Sequence, residues 1–250
     1  MYPILEFDDK SKAILDPACF YKNIVGAEFC VMCFFREVIE KVVAEYHAIV
    51  KVNLHSEIGD HPIYEIDYQG KKISFFHPGI GAPLAAGLLD ESIACGFHKF
   101  VACGGAGVLD SSIQVGKIII PFAAIRDEGT SYHYVPPSRE LEISKVVVDK
   151  LSAVLTSKHI PYILAKTWTT DAFYRETENK RDKRKKEGCL TVEMECSAFA
   201  AVAKHRNVMF GQYLYGGDDI SGTEWDHRKW TRHEMREKLF WLSVEACLSL

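Results

Sequence analysis

Four strand-length apolar runs in this chain end in glycines or in paired acids, and this constrains the fold more than any other feature. Lys72–Phe76 runs into His77-Pro78-Gly79-Ile80-Gly81, and His98–Cys103 into Gly104-Gly105-Ala106-Gly107. Residues 190–195 close on Glu193-Met194-Glu195, and Val208–Tyr215 on Gly216-Gly217-Asp218-Asp219. Between the runs lie segments of helical period joined by short links. Such alternation predicts one α/β domain over residues 1–250, a mixed sheet with helices on both faces. In open α/β sheets ligands gather where strands end, so the four strand ends are the first place to look for chemistry.

The joint at Thr191–Ala201 is the most informative. In extended backbone Glu193 and Glu195 share a face and Met194 takes the other, because strand side chains alternate. Apolar residues at 194, 198, 201 and 202 then follow helical spacing. The pair therefore stands at a strand-to-helix joint, as a ligand-binding pair or as acids capping a helix N-terminus. Glycines let backbone approach a ligand closely, and consecutive N–H groups make an anion nest. No Lys-Ser/Thr follows these glycines and the dinucleotide spacing is absent, so neither nucleotide-binding fingerprint applies.

The remaining elements read in order. Residues 28–35 form a buried strand, and Arg36–Val50 an amphipathic helix. A hairpin, Ile63–Tyr68 with Lys72–Phe76, turns at Gln69-Gly70. A helix covers 82–95, with Pro83 in its first turn and Gly96 past its end. Lys117–Ile125 is a strand, 126–137 a loop, Glu140–Ser157 a helix and Tyr162–Thr167 a strand. A helix runs to about Arg206, and the last one from about Trp230 to Leu248, apolar enough over a wide arc to dock on the core or on another subunit. Residues 1–27 give no regular pattern.

Composition excludes several function classes. A net charge of −4 gives no general reason to expect nucleic acid or an anionic membrane as partner. No apolar run approaches the roughly 18 residues of a membrane span, and the acidic N-terminus lacks a signal peptide's apolar region, so cytoplasm is the expectation. Eight cysteines do not space as a disulfide framework. Cys30 and Cys33 form a CxxC inside an apolar strand with no second ligand pair, which reads as buried thiols, and no metal is expected.

Taken together, these motifs resemble the nucleoside phosphorylase and nucleosidase superfamily over roughly residues 74–222. His77–Gly81 resembles its first glycine loop, Phe100–Gly107 with Val115-Gly116-Lys117 its second loop and next strand, and Thr170–Tyr174 its base-side segment. Val192-Glu193-Met194-Glu195 is similar to the segment that holds the sugar. The resemblance implies a three-layer phosphorylase/hydrolase-like fold, a nucleoside as the small-molecule partner, and cleavage of its N-glycosidic bond without metal or organic cofactor. Inorganic phosphate would be the co-substrate of a phosphorylase, and the assembly a homo-oligomer, dimer or hexamer.

Cleaving C1′–N builds positive charge on the ribose and negative charge on the departing base. An acceptor-only carboxylate suits the 2′,3′-diol, which gives Glu195 the sugar, Met194 the floor beneath it and Glu193 a supporting role. Asp218, resembling the acid of purine-type members, is the candidate proton donor to the base, and Phe173 or Tyr174 offers a stacking face unless both pack in the core. A uridine-type Gln-x-Arg does not follow Tyr174, so a purine or similarly protonatable base fits better.

The nucleophile site departs from the family. Its phosphate loop is nearest to Leu15-Asp16-Pro17-Ala18-Cys19, where glycine and arginine are replaced by Leu15 and Cys19. Ala102 and Gly105 stand where an arginine and a hydroxyl are expected, and a subunit-donated arginine falls near Gly59. Gly79, Gly104 and Gly105 remain as the phosphate or water site. Phosphorolysis is the first expectation, with Arg36 or Arg126 replacing the lost guanidiniums; the alternatives are a nucleosidase with water as the nucleophile, and a binding protein that has kept the sugar site without turnover. Arg36 also has a simpler reading, an i,i+4 pair with Glu40. The basic run Arg175–Lys186 reads as a solvated helix face, with recognition of a 5′-phosphate as its functional alternative.

Overall fold

The computed structural model describes residues 2–21, 24, 28–229 and 233–250. Among the described residues, ten strands form one mixed sheet in the order β10-β6-β8-β9-β5-β1-β4-β3-β2, with β7 on β6 and a second pairing of β10 with β5. In chain order these are β1 (Phe29–Cys33), β2 (Ile49–Ser56), β3 (Gly59–Tyr68), β4 (Lys71–Phe76), β5 (Lys99–Val108), β6 (Ile118–Asp127), β7 (Glu140–Glu142), β8 (Tyr162–Thr170), β9 (Cys189–Glu193) and β10 (Met209–Asp219). The helices are α1 (Arg36–Glu45), α2 (Ala82–Ala94), α3 (Lys145–Ser157), α4 (Glu178–Lys186), α5 (Cys196–Arg206) and α6 (His233–Ser249).

The expected mixed α/β sheet with helices is present. Because β5 pairs with both β9 and β10, the strands β5, β9, β8, β6 and β10 also close on themselves. Strand β10 shows why both faces carry helices. Phe210 packs on Phe199 of α5, ring centroids 5.4 Å apart, whereas a Cβ on the next residue, Gly211, would lie 2.7 Å from Val147 of α3. Alternate residues of one strand thus meet different helices, as a two-residue period requires. Phe75 of β4 meets Phe240 of α6 edge-on at 5.4 Å, tying the last helix to the sheet.

Several boundaries differ from the sequence reading. The helix read over 36–50 stops at Glu45, and Ile49 and Val50 open β2, where both are exposed while Val52 and Leu54 point inward. The alternation of Val52 and Leu54 is a strand signal that the longer helical match of 36–50 masks. Residues 140–142 are not the start of a helix. They pair with Ala123–Ile125 of β6, and α3 begins after Ser144. The glycines at 104–107 and 216–217 lie inside β5 and β10 rather than beyond them, because each strand keeps partners through that stretch. The final helix is as expected from His233 onward, and its expected first turn, 230–232, lies outside the described residues.

The run 175–188 holds α4, but its basic residues do not all face solvent. Arg181 and Arg184 are buried. Arg184 reaches Asp127 at 3.2 Å and lies over the buried Trp168 ring, while Arg181 donates to the carbonyls of Ile220 and Gly222. Lys183, Lys185 and Lys186 form the exposed side. Cys30 and Cys33 are buried free thiols. Among the described residues no helix is long and apolar enough to cross a membrane, and no three His, Cys, Asp or Glu converge as a metal site.

Candidate active site

Strand order brings the expected loops together. β1 runs parallel to β4 and to β5, with Met32 opposite Phe76 and Cys33 opposite Cys103, so Phe34, His77 and Gly104 follow at one end of three adjacent strands. β9 runs antiparallel to β5, with Gly107 opposite Val192. β8 brings Thr169 level with Glu193.

Glu193 is the structural half of the acid pair. It accepts hydrogen bonds from Thr169 Oγ1 at 2.6 Å and from the backbone N–H groups of Glu195 at 2.8 Å and Cys196 at 2.6 Å. Two of these are amides that the start of α5 would otherwise leave unpaired. Thr169 in turn accepts from the Ser197 amide at 3.0 Å, which fixes β8, β9 and α5 as one unit.

Glu195 is the half that reaches the first glycine loop. One carboxylate oxygen takes the Gly81 N–H at 2.6 Å, joining the first glycine loop to the acid pair, and the side chain is only 6% exposed. Burial, and then the neighbouring Glu193 charge, push its carboxyl above the ordinary range, and burial does the same to Glu193. A diol donating two hydrogen bonds to this carboxylate would offset that cost. Met194 between them is half-buried.

The glycine loop owes its shape to two residues with positive φ, Gly79 at 80° and Gly81 at 87°. Gly79 donates its N–H to His77 Nδ1 at 3.0 Å, so that nitrogen carries a lone pair, and burial lowers the His77 pKa and favours this neutral form.

Asp218 comes to the same end of the sheet. A Cβ on Gly107 would lie 3.7 Å from both its carboxylate oxygens and 3.0 Å from Val192, next to Glu193. The indole N–H of Trp225 donates to Asp218 Oδ2 at 2.7 Å. Phe173 and Tyr174 are 50% and 87% exposed with ring centroids 4.1 Å apart, so neither is a core residue.

On the nucleophile side, Leu15–Cys19 lies by α2 and α5 and shares a cavity with Gly129 and Asp171, which follow β6 and β8. Asp16 pairs with Arg206 of α5 at 3.0 Å, and the segment lines a cavity of about 1720 Å³ that opens under residues 8–19. The residue placed beside Gly104 is Phe34, whose ring would lie 3.1 Å from a Cβ there and meets His77 edge-on at 5.9 Å. An aromatic ring thus occupies ground next to the second glycine loop. Gly105 pairs across to Tyr215 of β10.

Neither substitute arginine points to an anion. Arg126 is buried, and its guanidinium donates to Ser131 Oγ at 2.8 Å, to the Pro136 carbonyl at 2.8 Å and to Ser138 Oγ at 2.9 Å, while lying 3.9 Å over the Tyr132 ring. Arg36 shares a cavity of about 570 Å³ with His77, Gly79 and Ile80, but its side chain is 84% exposed and paired with Glu40 at 2.8 Å. Glu40 and Asp60 also line that cavity, and burial lowers the pKa of both its histidines, His61 and His77, so its charge does not favour an anion.

Two residues escape sequence reasoning. Glu176, just past Phe173-Tyr174, and Trp225 line a cavity of about 110 Å³ together with Arg181 and Ile220. Glu176 is a carboxyl in a charged run, and only the fold of the 219–226 hairpin makes it different from its neighbours.

With this geometry in view, the chain matches the phosphorylase superfamily over residues 28–248. It is 26% identical over 156 residues to the guanosine phosphorylase of Halorubrum lacusprofundi, covering 61% of this chain and 63% of that protein. It is 34% identical over 111 residues to the uridine phosphorylase of Thermococcus kodakarensis, covering 43% and 39% respectively. The chain thus spans less than two thirds of each of these relatives. Its fold is similar to AMP nucleosidase from Bacteroides thetaiotaomicron, with a TM-score of 0.72 at 20% identity over 90% of this chain and 88% of that one. It is also similar to uridine phosphorylase from Vibrio fischeri, with a TM-score of 0.74 at 20% identity over 92% and 99%.

Proposed function

Because the chain belongs to the phosphorylase superfamily, we propose that it is an enzyme that cleaves the N-glycosidic bond of a nucleoside, with water as the nucleophile. The observation that carries the bond-cleaving reading is the Gly81–Glu195 contact, which puts a buried carboxylate against a glycine loop at the joint of three strands. Glu195 holds the ribose diol, Met194 lies beneath it, and Glu193 and Thr169 fix the pair. Asp218, across Gly107 from this joint, stands on the base side with Phe173 or Tyr174 as stacking face. The base is a purine or another that takes up a proton as it leaves. No metal or organic cofactor takes part.

Water is favoured over phosphate because a dianion needs charge-assisted donors. Phe34 stands beside Gly104, Ala102 and Gly105 bring no polar side chain, and Arg36 and Arg126 are paired elsewhere. Phosphorolysis is the second reading, favoured by relatives that are named as guanosine and uridine phosphorylases. Chromatography of inosine, adenosine, uridine, thymidine and methylthioadenosine with the protein, with and without inorganic phosphate, separates the two. Free base and free sugar at equal rates in both tubes is the expected result. Sugar 1-phosphate formed only with phosphate would replace water by phosphate, and no cleavage in either would overturn the enzyme reading for this panel.

A further inference from the structure

Beside the acid pair lies another buried carboxylate, Glu128, at the end of the next strand but one. β6, β8 and β9 run parallel to one another, with Arg126 level with Thr169 and Thr169 level with Glu193. Glu128 directly follows β6. The next residue, Gly129, donates its N–H to Asp171 Oδ2 at 2.8 Å just beyond β8, which ties the ends of these two strands together.

The Glu128 oxygens are met by donors. Ser131 gives its amide to Oε2 at 2.9 Å and its hydroxyl to Oε1, and Ser197 gives its hydroxyl to Oε1 at 2.9 Å. Arg126 Nε donates to Ser131 Oγ at 2.8 Å, which turns the Ser131 proton toward Glu128. All four of these residues are buried. Ser197 is the second residue of α5, and its amide goes to Thr169 Oγ1 at 3.0 Å. The first turn of α5 is thus held from two sides, by Thr169 and Glu193 on one and by Glu128 on the other. Glu195 caps that turn, so any shift of α5 moves its carboxylate relative to Gly81.

We propose that Glu128 is a positioning residue for Glu195: by clamping Ser197 it fixes the carboxylate where the ribose diol meets it. The proposal rests on the nucleoside-cleaving reading of this site. Taking a carboxylate out of water is costly, and apolar contacts would hold a helix to a loop as well. What the carboxylate adds is direction, because hydrogen bonds weaken steeply off-line and leave α5 a single seat. The buried Arg126 gains a part in the site by the same route, through Ser131 rather than through an anion.

Ser197→Ala removes the α5 end of the clamp and leaves Arg126, Ser131 and Glu128 joined. Formycin B and pseudouridine, C-nucleosides whose C–C glycosidic bond is not cleaved, report binding without turnover. Each is titrated calorimetrically beside its 2′,3′-dideoxy form, which offers Glu195 no diol. Wild type should bind the riboside on the order of 100-fold more tightly, as two hydrogen bonds to a carboxylate imply. In Ser197→Ala that preference should fall about tenfold, while affinity for the dideoxy form stays within about twofold. Glu128→Gln, which sets an amide donor against the two hydroxyls, should do the same, and Ser197→Ala decides alone if that variant does not fold. An unchanged preference in Ser197→Ala overturns the proposal. So does an equal loss on both ligands, which a merely structural role would give. Wild type that binds neither C-nucleoside, or binds it no better than its dideoxy form, would instead fault the nucleoside reading, and the proposal would fall with it.

Discussion

Glu193 and Glu195 sit two residues apart, yet the fold gives them different partners. Glu193 spends its oxygens on Thr169 and the first amides of α5, whereas Glu195 has one bond to Gly81 and faces the joint. A raised carboxyl pKa means the native state holds a proton that the unfolded chain gives up from about 4.5 upward. That contribution to stability is therefore fully present below 4.5 and is lost as pH rises through the native value. Glu195→Gln should remove this dependence. At pH 8 the variant should melt several degrees above wild type, about 2–4 °C for each kcal/mol in a chain of this size. At pH 4.5 the two should coincide, while nucleoside turnover falls on the order of 100-fold. A variant no more stable than wild type at pH 8 would show that Glu195 is not strained in the free protein. Gly79 tests the loop opposite. With φ of 80° and a virtual Cβ 2.4 Å from Leu84, Gly79→Ala should cost about 1–3 kcal/mol in a urea titration.

At the scale of elements, the sequence shows most where period and punctuation agree. Pro83 and Gly96 bracket α2, and the Glu-Met-Glu joint is visible because strand period gives way to helix period within four residues. The sequence shows least where pairing partners decide. Ile49-Val50 fits the helical face of α1 as well as a strand, and only β3 settles the choice by offering a ladder. Glu140–Glu142 is likewise recruited by β6. The Asp-Pro of residues 16–17 resembles a phosphate loop locally, yet Asp16 pairs with Arg206 of α5, and β1 ends at Cys33 so that Phe34 stands beside Gly104. No local pattern reveals this, since it depends on β1 lying between β4 and β5. Element packing also has a direct test in Gly211, whose virtual Cβ lies 2.7 Å from Val147 and 2.9 Å from Leu151 of α3. Gly211→Ala should push α3 off β10 and destabilise by about 1–3 kcal/mol, read as a lower urea midpoint with unchanged slope. An unchanged midpoint would mean that α3 yields without cost.

For the whole molecule the question is which nucleophile the sheet can hold at the end where β1, β4 and β5 meet. The side proposed for the sugar is built with buried acids and converging amides. Beside it, the second glycine loop meets a phenylalanine ring, and the two arginines that sequence reading offers are tied to Glu40 and to the 131–138 loop. A protein that binds phosphate in its native state alone is stabilised by RT ln(1 + [L]/Kd), about 2.7 kcal/mol at a hundredfold excess over Kd. Inorganic phosphate should therefore raise the melting temperature of this protein no more than sulfate does at matched ionic strength, and without saturation. The same protein should gain a saturating shift from a bound nucleoside, and Glu195→Gln should abolish that shift. Saturation by phosphate at millimolar levels would mean that the chain assembles an anion site by another route, and phosphorolysis would then be the better account of the fold.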